Sequence, residues 1–228
     1  MANLKDITAF CDERTRNEEI QDFPGACNGL QVQSESEIRK IGAAVDAGQI
    51  PFQLAIEAAV DLLIVHHGLF WSPIQPITGS SYQKLLTLIK GNLALYSSHL
   101  PLDCHPEIGN NALLARLLEL DVSDTFLPFE GVDIGLIARG IPLKALKARL
   151  GESFGTKFTS IEFGSTKPQK IAIVSGSGAS AVGELKTLGI DTLVTGELKQ
   201  NHFNQAQEEK LNLLLCSNPL LPVPVFEW

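Results

Sequence analysis

The stretch AAVDLLIVHHG, residues 58–68, decides how the rest of the chain is read. Residues 61–65 read as a strand in which Asp61 is followed by an apolar run without polar alternation, the pattern of a strand buried on both faces. Two histidines and a glycine follow at once. Similar strand-like runs stand at 38–45, 92–96, 170–175, 191–194 and 211–216. Helical spacing is found at 52–59, 82–90, 112–120, 142–150 and 181–188. Strands that alternate with helices are built as βαβ units, so the chain is predicted to be α/β with mostly parallel sheet. In the 112–120 segment Leu113, Leu114, Leu117 and Leu118 share one helical face, the expected buried one. Residues 4–12 and 16–21 predict a helix, followed by a turn at Asp22-Phe23-Pro24-Gly25. Across 122–140 the alternation lapses into a polar, glycine-punctuated stretch. The domain boundary is placed there, giving a first lobe of residues 1–125 and a second of 126–228.

The run 188–198, LGIDTLVTGEL, echoes 58–68: a helix end, an aspartate, an apolar strand, then a polar cluster with glycine. Aligning Asp61 with Asp191 sets His66 and His67 against Gly196 and Glu197. Two readings stand, a duplicated unit or the common look of any helix-to-strand connection.

Composition narrows the function. With 228 residues, 44% hydrophobic and 19% charged, the chain is long enough to bury a core without disulfides or a structural metal. The formal charge of −8 disfavours a nucleic-acid partner, because phosphate binding needs clustered cations. No apolar stretch reaches the roughly 18 residues of a membrane span. The charged opening MANLKDITAFCDERTR lacks the apolar core of a signal peptide. Cys11, Cys27, Cys104 and Cys216 form no CxxC pair and read as reduced thiols. The expectation is a cytoplasmic protein.

Four of the five histidines lie in two segments, His66-His67 and His99 with His105. Both segments follow predicted strands, and in open α/β sheets the carboxyl ends of the strands line the ligand crevice. Adjacent strand residues point to opposite faces, so His66 and His67 chelate one ion poorly unless the backbone turns at Gly68. They can instead serve one ion each. Asp103 can bridge two ions through its two oxygens, and a His-plus-Asp donor set suits Zn²⁺, Mn²⁺ or Fe²⁺. His99 fits a supporting or substrate-orienting place. His105, before Pro106, reads as an exposed loop residue. The turn 176–181, GSGASA, has the GxGxxA outline of a dinucleotide loop, although any tight strand-to-helix turn selects Gly and Ser. Glu197 is placed as a general base or supporting carboxylate, and His202 on a helix surface.

Taken in order, Asn28-Gly29-Leu30-Gln31-Val32, Val65-His66-His67-Gly68-Leu69-Phe70-Trp71, His99-Leu100-Pro101-Leu102-Asp103 with Gly109-Asn110-Asn111, and Thr195-Gly196-Glu197 resemble the Nif3-like family, often labelled GTP cyclohydrolase 1 type 2 homologues. The resemblance implies a two-lobed Nif3-like fold with mostly parallel or mixed sheets flanked by helices. It implies a toroidal homohexamer and up to two divalent metal ions per subunit, with His66, His67 and Asp103 as ligands. It also implies a metal-dependent hydrolase in which a metal-activated water attacks a small-molecule or nucleotide substrate, or else a non-catalytic, ring-forming regulatory or metal-handling protein. The family's C-terminal segment, which brings a further His and Glu to the metals, has no match in residues 217–228, where Pro219, Pro222 and Pro224 also oppose a helix. The expectation is therefore a truncated or frame-shifted member whose metal cleft lacks two ligands, with Glu197 and His202 the nearby substitutes.

Overall fold

The computed structural model describes residues 3–71, 75–155, 158–216 and 225–227. Most of the Pro-rich tail lies outside the described residues. The chain forms two compact units, one running to Leu102 and joined by 225–227, the other from Asp103 to Cys216. No helix among the described residues is long and apolar enough to cross a membrane.

The first unit comprises α1 (Leu4–Thr15), β1 (Gly29–Val32), β2 (Lys40–Asp46), α2 (Gln49–Glu57), β3 (Leu62–His67), α3 (Gly79–Lys90), β4 (Ala94–Ser97), the short α4 (Leu100–Asp103) and β11 (Val225–Glu227). The Asn3 side chain caps α1 by accepting the Lys5 N–H, and Arg16 closes the helix in the left-handed region at φ 58°. The sheet order is β1-β4-β3-β2-β11. β2, β3 and β4 run parallel, while β1 and β11 are antiparallel edges. As the apolar run after Asp61 predicts, β3 is buried on both faces. Leu63 and Val65 pack with Phe52 and Ala55 of α2 and Leu88 of α3. Leu62 packs on the other side with Ile38, Tyr96 and the α1 residues Leu4 and Ile7.

The second unit comprises α5 (Asn110–Leu117), β5 (Val122–Phe129), β6 (Val132–Arg139), α6 (Leu143–Phe154), β7 (Phe158–Glu162), β8 (Lys170–Ser177), α7 (Ala179–Leu185), β9 (Thr192–Glu197), α8 (Asn201–Glu209) and β10 (Asn212–Cys216). Its sheet order is β5-β6-β8-β9-β10-β7, with β8, β9 and β10 parallel. Residues 103–125, assigned by sequence to the first lobe, belong here. Ala115 and Leu118 pack with Ile171 and Ile173 of β8 and Leu146 and Leu150 of α6. The buried face of α5 also differs from the leucine stripe. Asn111, Ala112 and Ala115 are buried, whereas Leu113 and Leu117 are 45% and 54% exposed. The small residues let the helix sit close to the sheet, which turns Leu113 and Leu117 outward while Leu114 and Leu118 stay packed against the core. The supposed lapse at 122–140 is the β5–β6 hairpin. Phe129 pairs with Val132 across Glu130-Gly131, whose φ values of 46° and 88° are both positive, as in the two-residue turns that match strand twist.

The echo between 58–68 and 188–198 extends to the topology. In each unit an antiparallel strand (β1, β7) flanks the last of three parallel strands, joined in the order strand, helix, strand, helix, strand. The two aspartates do equivalent work. The Asp61 carboxylate accepts the N–H groups of Arg39 and Lys40 while its carbonyl accepts that of Ala94. The Asp191 carboxylate accepts the Ser165 N–H and its carbonyl that of Asn212.

Candidate metal centre

The carboxyl ends of β3 and β4 bring three imidazoles together. His66 and His67 end β3, and His99 follows β4 two residues after Ser97. Ring centroids are 4.6 Å apart for His66–His67, 4.9 Å for His66–His99 and 5.6 Å for His67–His99. One ring nitrogen from each lies within 4.8 Å of the other two. The expected divergence of His66 and His67 does not keep their rings apart, although both lie within β3 and the strand ends only after them, at Gly68. A Cβ at Gly68 would collide with the Gln31 amide and come within 2.7 Å of Ser97 Oγ, so a larger residue there would displace both side chains. The strand end is held by the Leu69 N–H donating to Gln31 Oε1 at 2.6 Å and by Ser97 Oγ donating to the His66 carbonyl at 3.2 Å.

The chemistry of the cluster is set at the Nδ1 atoms. His66 Nδ1 lies 3.0 Å from the Ser98 carbonyl, His67 Nδ1 2.7 Å from Asp46 Oδ1, and His99 Nδ1 2.9 Å from Asp22 Oδ1. Carbonyls and carboxylates only accept, so each Nδ1 must carry the proton. In each neutral ring the lone pair is then on Nε2. This is the arrangement by which a metal-binding histidine is oriented by an acceptor behind it, and three imidazoles are a donor set suited to zinc and its neighbours. The two carboxylates differ in setting. The Asp46–His67 pair is open to solvent, whereas the side chains of Asp22 and His99 are 4% and 13% exposed. Burial alone would push the Asp22 carboxyl up, but hydrogen bonds from His99, Asn28 and the Leu100 N–H outweigh it and bring it down to about 2. Trp71 stands edge-on to His99 at 4.6 Å and Phe23 lies at 6.0 Å, so aromatic surface borders the imidazoles.

Asp103 ends α4 and falls in the second unit. Its Oδ1 accepts from Asn110 Nδ2 at 2.7 Å and from Ser175 Oγ at 3.4 Å, which fixes it beside the carboxyl end of β8. Glu197 ends β9 exposed to solvent, outside the histidine group among the described residues. His202 is not on a helix surface: it is buried in α8, with Nδ1 at 3.1 and 3.0 Å from the Lys199 main-chain N and O. His105 is also buried, its Nδ1 accepting the N–H groups of Glu107 and Ile108 at 3.1 and 3.2 Å. Both side chains satisfy local main chain in place of water. In the 176–181 turn Gly176 supplies a positive φ of 66°, and Gly178 serves packing. A Cβ at Gly196 would stand 2.7 Å from the Gly176 carbonyl, and one at Gly178 would strike Thr195. The helix that follows, α7, has only seven residues. Sequence reasoning missed Asp22, Asp46, Asn28 and Gln31. The Asn28–Gln31 motif was visible, but no spacing ties it to His99 or Gly68.

A two-unit α/β chain with three acceptor-backed imidazoles at one set of strand ends defines a class of histidine-site protein. A sequence profile of the Duf34/NIF3 (NGG1p interacting factor 3) family matches residues 2–217, and the chain belongs to that family. It is 39% identical over 194 residues to a GTP cyclohydrolase 1 type 2 homolog of Deinococcus radiodurans, covering 84% of this chain and 74% of that protein. A protein of the same description from Escherichia coli K12 is 34% identical over 211 residues, covering 91% and 83%. Among solved structures, protein ybgI, described as of unknown function, superposes with a TM-score of 0.85 at 31% identity, covering 95% of this chain and 87% of that one. TTHA1606 from Thermus thermophilus gives 0.80 at 38%, covering 93% and 85%.

Proposed function

We propose that this chain is a divalent-metal-binding NIF3 protein that acts as a hydrolase on a small-molecule or nucleotide substrate. The observation that carries the reading is the acceptor oxygen 2.7–3.0 Å from Nδ1 of each of His66, His67 and His99, which implies one common tautomer. The Nε2 atoms of these three residues would hold the ion, of the zinc, manganese or iron class. Asp103 enters as a further ligand on the family resemblance, without a geometric argument. A divalent ion, when bound, supplies the Lewis acidity that hydrolysis of a nucleotide or similar ester or ring bond requires. The chain's own part is to orient the imidazoles, through Ser98, Asp46 and Asp22, and to border them with Trp71 and Phe23. The names of the relatives make GTP the first substrate to assay, and self-assembly into a homohexamer belongs to the same reading.

The test is metal content per subunit after zinc or manganese loading, together with mass in solution and GTP turnover followed by chromatography. Wild-type chain is expected to retain metal, and His67→Ala, His99→Ala and Asp103→Ala to lose it. Unchanged metal in these variants would overturn the site. An intact ring with neither metal nor turnover would favour the non-catalytic assembly instead.

A further inference from the structure

The Asn28-Gly29-Leu30-Gln31 motif and the turn before it take no direct part in the proposed hydrolysis, yet their polar side chains point at the histidine segments. Asp22 Oδ1 accepts the Phe23 N–H at 2.7 Å. Asp22 Oδ2 accepts the Leu100 N–H at 3.0 Å and Asn28 Nδ2 at 2.8 Å. The same Asn28 uses its Oδ1 to accept the His99 N–H at 2.8 Å. His99 is thus gripped at its main chain by Asn28 and at its ring by Asp22, whose oxygens lie 2.9 and 3.1 Å from Nδ1. With the Asp22 side chain only 4% exposed, water cannot substitute for it readily.

We propose that Asp22 is a positioning residue that fixes His99 as an Nδ1-protonated imidazole, and that this makes His99 a third nitrogen donor beside His66 and His67. The inference rests on the metal-binding reading for its second half only. Its first half concerns the metal-free protein. The polarity of the loop makes a sharp prediction for Asp22→Asn. Placed where Oδ2 now lies, the amide oxygen keeps two donors, Leu100 N–H and Asn28 Nδ2, and loses only that of Phe23. Placed where Oδ1 lies, it keeps one and sets its NH₂ group against two donors. The first orientation wins, and it turns the NH₂ toward His99 Nδ1. The NH₂ then stands nearer to Nδ1 than the amide oxygen does, at the 2.9 Å position against the 3.1 Å one, and donates to it, so the proton moves to Nε2 and the lone pair leaves the cluster.

The experiment is two-dimensional NMR of ¹⁵N-histidine-labelled, metal-free protein at neutral pH, with the His99 signals assigned by comparison with His99→Gln. Wild-type His99 is expected as the Nδ1–H tautomer, and Asp22→Asn as Nε2–H with His66 unchanged. Zinc titration of the same samples should show a roughly 10- to 100-fold loss of affinity in the variant. An Nε2–H tautomer in the wild type, an unswitched tautomer in a folded Asp22→Asn, or zinc affinity within twofold of wild type would each overturn the proposal. The wild-type spectrum decides even if the variant misfolds. Failure of the wild type to bind zinc would instead refute the metal reading, and the tautomer comparison would still judge the role of Asp22.

Discussion

Asp22 should also make the first unit acid-labile in a defined window. Its carboxyl is held near 2, against an ordinary value of 3.8, by hydrogen bonds that exceed the cost of its burial. A carboxyl depressed in the folded state stabilises the fold fully above its unfolded value and loses that stabilisation as pH falls through the folded one. The contribution is therefore intact at pH 6, declines from about pH 4, and is gone once pH drops below the folded value. At about 1.4 kcal/mol per pKa unit the shift corresponds to at most about 2 kcal/mol, less whatever solvent screening reaches the half-buried residue. Protonated aspartate and asparagine are nearly isosteric, so Asp22→Asn should mimic the acid form. Urea unfolding of metal-free wild type and Asp22→Asn is expected to differ by up to about 2 kcal/mol at neutral pH and to converge at the acid end. A gap that stays constant, or widens toward acid, would refute the assignment of the depressed carboxyl to this hydrogen-bonded pair.

Three further outcomes are expected. Leu63→Ala removes a fully buried side chain from the α2–α3 face of β3 and should cost about 2–5 kcal/mol in thermal or urea unfolding. Gly140→Ala should destabilise by about 1–3 kcal/mol or more, because its Cβ would run into the Pro168 carbonyl, which is main chain and cannot rotate away. In alkylation at pH 8 read by mass spectrometry, exposed Cys27 should label in the native protein while Cys216 labels only on unfolding. Burial covers the Cys216 thiol and pushes it up to about 11.

The legibility of this chain follows from how local each signal is. β3 could be read because a strand buried on both faces needs an unbroken apolar run, and 62–65 supplies one. β1 and β7 escaped because they are short, half-exposed edges whose sequence carries no alternation. The His66-His67 pair stood out because imidazole has no packing advantage at the end of an apolar strand. The nearness of His99 to the pair was not legible, since its ring partner Asp22 lies 77 residues away in sequence. Asp46 is similarly hidden, 21 residues before the His67 that it orients. Burial of His105 and His202 was also invisible, because each is satisfied by main-chain groups of its own turn. Topology was more legible than side-chain partnership, for periodicity is local and partnership is not.

The close approach at Gly196 bears on the echo between the two halves of the chain. Gly196 occupies the position that His66 occupies in the first half, and its Cα faces the Gly176 carbonyl so closely that a Cβ would sit 2.7 Å away. No imidazole can be introduced there by a single substitution without first prying β9 from the β8 turn. If one ancestral unit gave rise to both, the second copy has passed a point of no easy return. Its strand end is committed to main-chain packing, and an engineer who wished to graft a second histidine pair onto it would have to rebuild the glycine turn before changing residue 196.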